Sequence, residues 1–161
     1  MKWTSSNKNI AKVNSYGKIT GKKAGSCKIS GKLLNGNKVT CSVTVKSRPK
    51  LLIKNAYFDI GYFGSVDCDV SFENNFGKTI KYIYFNTYFY NTVEDPAYCE
   101  IGNTNYVYLK KTGPIKSGTS SYGTWDSVIY NSSTGEMYLE SADIIFMDGT
   151  KKTVSIKKSY K

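Results

Sequence analysis

Residues 26–46 read SCKISGKLLNGNKVTCSVTVK. Cys27, Ile29, Gly31 and Leu33 fall on one side of an extended chain, with Lys28, Ser30 and Lys32 on the other. Beyond Asn35-Gly36 the alternation resumes, with Val39, Cys41, Val43 and Val45 set against Thr40, Ser42 and Thr44. Successive side chains of a strand point to opposite faces, so this period of two marks two half-buried strands. Asn-Gly tolerates the positive φ angles of a tight turn, and its place between the runs predicts an amphipathic antiparallel hairpin.

The same signal runs through the rest of the chain. LLIKNAYFDI, SVDCDVSFEN, KTIKYIYFNTYFYN, TNYVYLKK, TWDSVIYN, EMYLESADIIFM and KKTVSIKK are rich in β-branched and aromatic residues. Turn clusters GYFGS, ENNFGK, KTGPIKSG, NSSTG and DG separate them. Asp148-Gly149 predicts a second tight hairpin between the last two runs. No stretch keeps a 3.6-residue period, so little helix is expected. Seven short strands with regular turn signals favour an antiparallel sandwich.

Charge divides the chain. Residues 1–46 contain ten lysines and no Asp or Glu, whereas residues 47–161 hold the other 13 basic residues against all 12 acids, a net of +1. Such a break points to two modules with different surfaces. It falls at KSRPK, where Pro49 stiffens the joint and biases Arg48 toward extended geometry. The expected organisation is a first module at 1–46, a linker at 47–50 and a second module at 51–161.

Composition excludes several chemistries. The chain has no His, which removes serine triads, Cys–His pairs and His-based zinc sites. Four cysteines without a CxxC pair argue against a metal site of any other zinc type. GKITGKKAG has the glycines and lysines of a phosphate cradle, but nothing predicts the helix that should follow it. Gly77-Lys78-Thr79 ends like a P-loop, yet Phe72 stands where the required glycine would be. No nucleophile–base constellation, cofactor or metal is expected. No apolar run has the length of a membrane span, and MKWTSSNKN lacks the apolar core of a signal peptide. Met1 is read as the start of either the natural chain or a shortened one.

WTSSN, IAKV, GKITGKKAGS, a strand, an NG turn and VTCSVTVK, in that order over residues 3–46, resemble the bacterial immunoglobulin-like domain of group 2. That resemblance implies an Ig-like sandwich whose earlier strands precede Trp3, so the first module is expected to be truncated. A sandwich without its first strands has an unpaired edge and an uncovered apolar face, which would favour an edge-strand dimer. Over about residues 51–157, NNFGKTIKYIYFNTYFYN, TGPIKSG, WDSVIYN and FMDGT resemble bacterial domains of unknown function related to the small Ig-like FxLYD domains. The fold expectation is therefore all-β, with two antiparallel Ig-like β-sandwich modules. The resemblance also implies a secreted or cell-surface parent protein, Gram-positive by its neighbourhood, with a structural, stalk or adhesion role.

Four groups of residues are candidate sites. Cys27 and Cys41 share the inward face of the hairpin and, with Cys68 and Cys99, could form disulfides in an exported protein or simply be buried thiols. Lys18, Lys22 and Lys23 belong to a lysine face that suits an anionic wall polymer, or is merely solvated. Only Trp3 and Tyr16 accompany it, so nucleic acid is not expected as a partner. Tyr82, Tyr84, Tyr88 and Tyr90 share one face of a strand, opposite Ile83, Phe85 and Phe89. Those tyrosines could seat a glycan or a host surface protein, or pack against neighbouring strands. Asp67, Asp69 and Glu73 alternate outward, a spacing that fits calcium or an ordinary polar face.

Overall fold

The computed structural model describes residues 2–161. Its regular structure is all strand, with no helix among the described residues. Two compact units divide between Arg48 and Pro49.

The first unit contains β1 (Lys2–Ser5), β2 (Ala11–Val13), β3 (Ile19–Gly21), β4 (Gly25–Lys32) and β5 (Lys38–Val45). Strands β1, β4 and β5 form one antiparallel sheet in that order, and β2 pairs with β3 in a separate hairpin. The β4–β5 hairpin turns at Asn35-Gly36, where Gly36 takes φ 87°. A side chain is strained at that angle, which is why glycine stands there. Ala11, Cys27 and Ile29 are the buried core, flanked by Trp3, Ile10, Val13, Val43 and Val45. Trp3 lies opposite Gly31, and a Cβ on Gly31 would stand 2.8 Å from the indole ring. The missing side chain makes room for the ring. The three-residue strands of the β2–β3 hairpin cover only part of the sheet, and Val39 and Cys41 on β5 remain exposed.

The second unit has the seven predicted strands: β6 (Leu51–Ile60), β7 (Ser65–Asn74), β8 (Ile80–Asn91), β9 (Tyr106–Ile115), β10 (Ser120–Tyr130), β11 (Thr134–Phe146) and β12 (Lys151–Tyr160). One sheet runs β10-β7-β6, the other β12-β11-β8-β9, and every pairing is antiparallel. Strands two and six of the seven lie in different sheets, the arrangement of an Ig-like sandwich. Alternation on both inner faces fills the core. Phe72 of β7 meets Phe85 of β8 edge to face at 5.3 Å, and Trp125 of β10 meets Phe85 at 6.2 Å. The indole Nε1 of Trp125 donates to the carbonyl of Lys110 at 2.8 Å, tying an edge strand of one sheet to an edge strand of the other.

The structure extends β9 through Thr112-Gly113-Pro114-Ile115, where the sequence suggested a turn. The turn falls at 116–119 instead. Strand β9 pairs only with β8, and an edge strand accepts Pro because that residue's missing donor can face away from the ladder.

Candidate functional site

The outer face of the β12-β11-β8-β9 sheet collects the aromatic side chains. Inward-pointing Ile83, Phe85 and Phe89 are fully buried, which turns Tyr82, Tyr84, Tyr88 and Tyr90 outward as half-buried rings. Register then adds three more tyrosines. Tyr88 lies between Tyr106 of β9 and Tyr138 of β11, and Tyr108 stands opposite Asn86. Ring contacts lock the set: Tyr88–Tyr106 and Tyr106–Tyr108 at 4.7 Å, Tyr82–Tyr84 at 6.4 Å and Tyr90–Tyr138 at 6.5 Å. The Lys110 ammonium sits over Tyr82 at 4.8 Å and over Tyr84 at 5.7 Å, with Lys81 also over Tyr82 at 5.3 Å.

A polar network anchors the middle of this face. The Asn86 Nδ2 donates to Ser141 Oγ at 2.8 Å and to Asp143 Oδ2 at 3.0 Å, while Asn86 Oδ1 accepts from the Tyr106 hydroxyl at 3.0 Å. Asp143 also accepts from Thr153 Oγ1 of β12. These bonds run across all four strands, so the rings stand on a cross-linked sheet. Burial, with the Tyr108 hydroxyl next, raises the Tyr106 hydroxyl above the ordinary tyrosine range; burial followed by Glu140 does the same to Tyr88. Both stay neutral donors near neutral pH.

Two hollows open on the same face. One, of about 530 Å³, is lined by Tyr90, Glu94, Glu136, Tyr138, Ser159 and Lys161. Glu136 there accepts from Ser159 Oγ at 2.6 Å and lies 3.6 Å from the Lys161 ammonium. The other, of about 240 Å³, lies beside Tyr84 and Asp143.

The lysines of the first unit are solvent-exposed, including those on β2 and β4, strands whose alternate residues Ala11, Cys27 and Ile29 are buried. Lys18 precedes β3, and Lys22 and Lys23 follow it. Lys22 is brought against Lys12, and contact with that second amine, then its charge, holds Lys22 below the ordinary lysine range. Lys8 and Lys12 line a shallow hollow of about 240 Å³ with Ser5 and Val13.

All four cysteines are free thiols. Cys27 pairs with Val43 and Cys41 with Ile29, so the two cysteines are diagonal neighbours rather than directly opposed. Cys27 is buried and Cys41 exposed. Cys68 is enclosed in the second core, where burial, then Asp67 and Asp69, pushes its thiol up to about 12. Cys99 lies in the loop before β9; burial pushes it up, but N–H groups of Tyr130, Ile101 and Gly102 together pull it below the ordinary range.

The carboxylates of β7 are occupied locally. Asp67 accepts from the Ser127 N–H at 2.6 Å, Asp69 from Thr124 Oγ1 at 2.7 Å, and Glu73 lies 3.7 Å from Lys54. Among the described residues no three His, Cys, Asp or Glu side chains come together as a metal site would require. No described helix is long and apolar enough to cross a membrane.

Alternation along β8 revealed four of the face tyrosines, but not Tyr106, Tyr108 and Tyr138, which only cross-strand register brings to them. The β9 run TNYVYLKK carried a usable sign, since its tyrosines also recur every second residue.

No curated protein matches the chain. The Trp3 that lies over Gly31, the β2–β3 hairpin and the Asn-Gly turn all fall within residues 1–50, and those residues match the family model of the bacterial Ig-like domain (group 2).

Proposed function

We propose that the chain is a non-catalytic accessory segment of an exported bacterial surface protein, made of consecutive Ig-like modules that carry or space other domains. The match of residues 1–50 to the bacterial Ig-like domain (group 2) carries this reading, because domains of that kind are typically structural and surface-associated. The second unit supports it as a further Ig-like sandwich, its two antiparallel sheets arranged as that fold requires. The want of any histidine supports a non-enzymatic role. Antibodies raised against the chain provide the test. Labelling of intact bacteria, removed by external protease, is the expected result. Detection only after lysis overturns the reading.

One observation favours a second reading, the binding of an anionic wall polymer by the first unit. Lys12 and Lys22 are crowded together, Lys8 is nearby, and residues 1–46 supply no carboxylate to neutralise them. A polyanion would relieve that repulsion. The full chain should then be retained on purified teichoic-acid-type polymer at low salt and released by about 0.5 M NaCl, where exposed charges are screened. The double variant Lys12→Gln, Lys22→Gln should bind more weakly. Unchanged binding by that variant dismisses the lysine cluster.

A further inference from the structure

We propose that the outer face of the β12-β11-β8-β9 sheet is a binding site for an uncharged polysaccharide chain. The inference goes beyond the accessory role, since a spacer needs no binding face. Half of the chain's 14 tyrosines stand on this one surface. Aromatic rings present an apolar face beside a polar hydroxyl, the pairing that a sugar ring offers in return through its C–H and O–H groups. Here the rings are fixed by one another and by the Asn86 network, so little side-chain freedom remains to be lost on binding.

The geometry distinguishes open seats from filled ones. Lys110 and Lys81 already lie over Tyr82 and Tyr84. Tyr108, 62% exposed, and the Tyr90–Tyr138 pair remain open. That pair walls the larger hollow, whose volume of about 530 Å³ lies within the range of roughly 300–1,000 Å³ typical of small-ligand sites. Glu94, Glu136 and Ser159 line it and offer acceptors and a hydroxyl to sugar hydroxyls. A chain seated across Tyr108, Tyr88 and Tyr90 would run along β8 into this hollow.

Charge selects the occupant. Lys81, Lys110, Lys151, Lys152 and Lys161 are interspersed on or beside the face with Glu94, Glu136, Glu140 and Asp143. Both signs are mixed there, unlike the uniformly cationic first unit. A polyanion would meet carboxylates among the lysines of such a surface, whereas an uncharged, hydroxyl-rich chain of rings meets both its aromatic and its polar groups.

The test is depletion of the full chain by insoluble uncharged polysaccharides, namely cellulose, chitin, xylan and a β-1,3-glucan, at low salt and at about 0.5 M NaCl. Retention by at least one, unaffected by salt, is expected. Tyr90→Ala and Tyr108→Ala should each weaken it about tenfold or more, while Tyr90→Phe and Tyr108→Phe keep most of it. Tyr108 is exposed enough that its loss should leave the fold intact, and unchanged thermal unfolding of Tyr108→Ala verifies this. Tyr62→Ala, at a fully exposed loop position elsewhere in the unit, should bind as the parent does. Absence of retention on all four polymers overturns the proposal. So does retention abolished by salt, or retention that both alanine variants preserve. Surface labelling of intact cells is read independently, so a chain found outside the cell that binds no polysaccharide sinks this inference and leaves the accessory role standing.

Discussion

Asn74 ends β7 with its side chain wholly buried, and it gathers the loops at one end of the second unit. Its Nδ2 donates to the carbonyls of Lys78 and Ile115, both at 2.9 Å, and its Oδ1 accepts from the Phe76 N–H at 3.0 Å. Its backbone N–H donates to Thr119 and its carbonyl accepts from Gly118. One side chain therefore satisfies groups in the β7–β8 turn and at the end of β9. A buried polar group left without a partner costs more than its hydrogen bond contributed. Asn74→Ala should lower the unfolding free energy of this unit by about 2–4 kcal/mol, measured by urea denaturation. Asn74→Asp should also be destabilising, because a carboxylate cannot donate to the two carbonyls. A loss below about 0.5 kcal/mol in either variant, the usual scatter of surface changes, would mean that water replaces the side chain.

At the scale of strands, the sandwich is closed by β10 leaning across to β9. Trp125 does this with its indole N–H, and Gly123, two residues earlier on the same face, leaves the space that the indole fills. A Cβ at Gly123 would collide with the ring, which its bond to Lys110 and its packing on Phe85 prevent from moving freely. Gly123→Ala should cost about 1–3 kcal/mol, as overpacking does. Gly102→Ala is the control: its nearest neighbour would be 3.9 Å away, and its effect should be within about 0.5 kcal/mol. If the two variants unfold alike, the indole is not the closure. This pairing also marks the limit of what the sequence discloses. Period-two alternation identifies both hairpins, the seven later strands and the outward turn of four tyrosines, because each is a local property. Which residues face one another is set by register, and register depends on the whole sheet. Thus Cys41 meets Ile29 instead of Cys27, and Tyr106, Tyr108 and Tyr138 join the β8 tyrosines. The strand through Pro114 was hidden for the same reason, since only its place at the sheet edge makes a proline acceptable there.

Over the whole molecule, two units with unlike cores and unlike charge share one chain. Among the described residues, the second buries nineteen apolar side chains in one cluster, whereas the first buries only Ala11, Cys27 and Ile29. Hydrophobic stabilisation scales with apolar area removed from water, so the first unit should be much the less stable. Its ten lysines repel one another with no acidic side chain among residues 1–46 to offset them. The chain carries one tryptophan in each unit, Trp3 and Trp125, which makes the comparison measurable. Heating should produce two transitions, the earlier followed by Trp3 emission in a Trp125→Phe variant and the later by Trp125 emission in a Trp3→Phe variant. Raising NaCl to about 0.5 M should move the earlier transition upward by screening the lysines and leave the later one nearly fixed, because the rest of the chain is close to neutral. A single transition reported alike by both tryptophans would instead make the units one cooperative body. A salt-insensitive first transition would mean that lysine repulsion does not limit its stability, and the case for an anionic partner neutralising that surface would lose its physical basis.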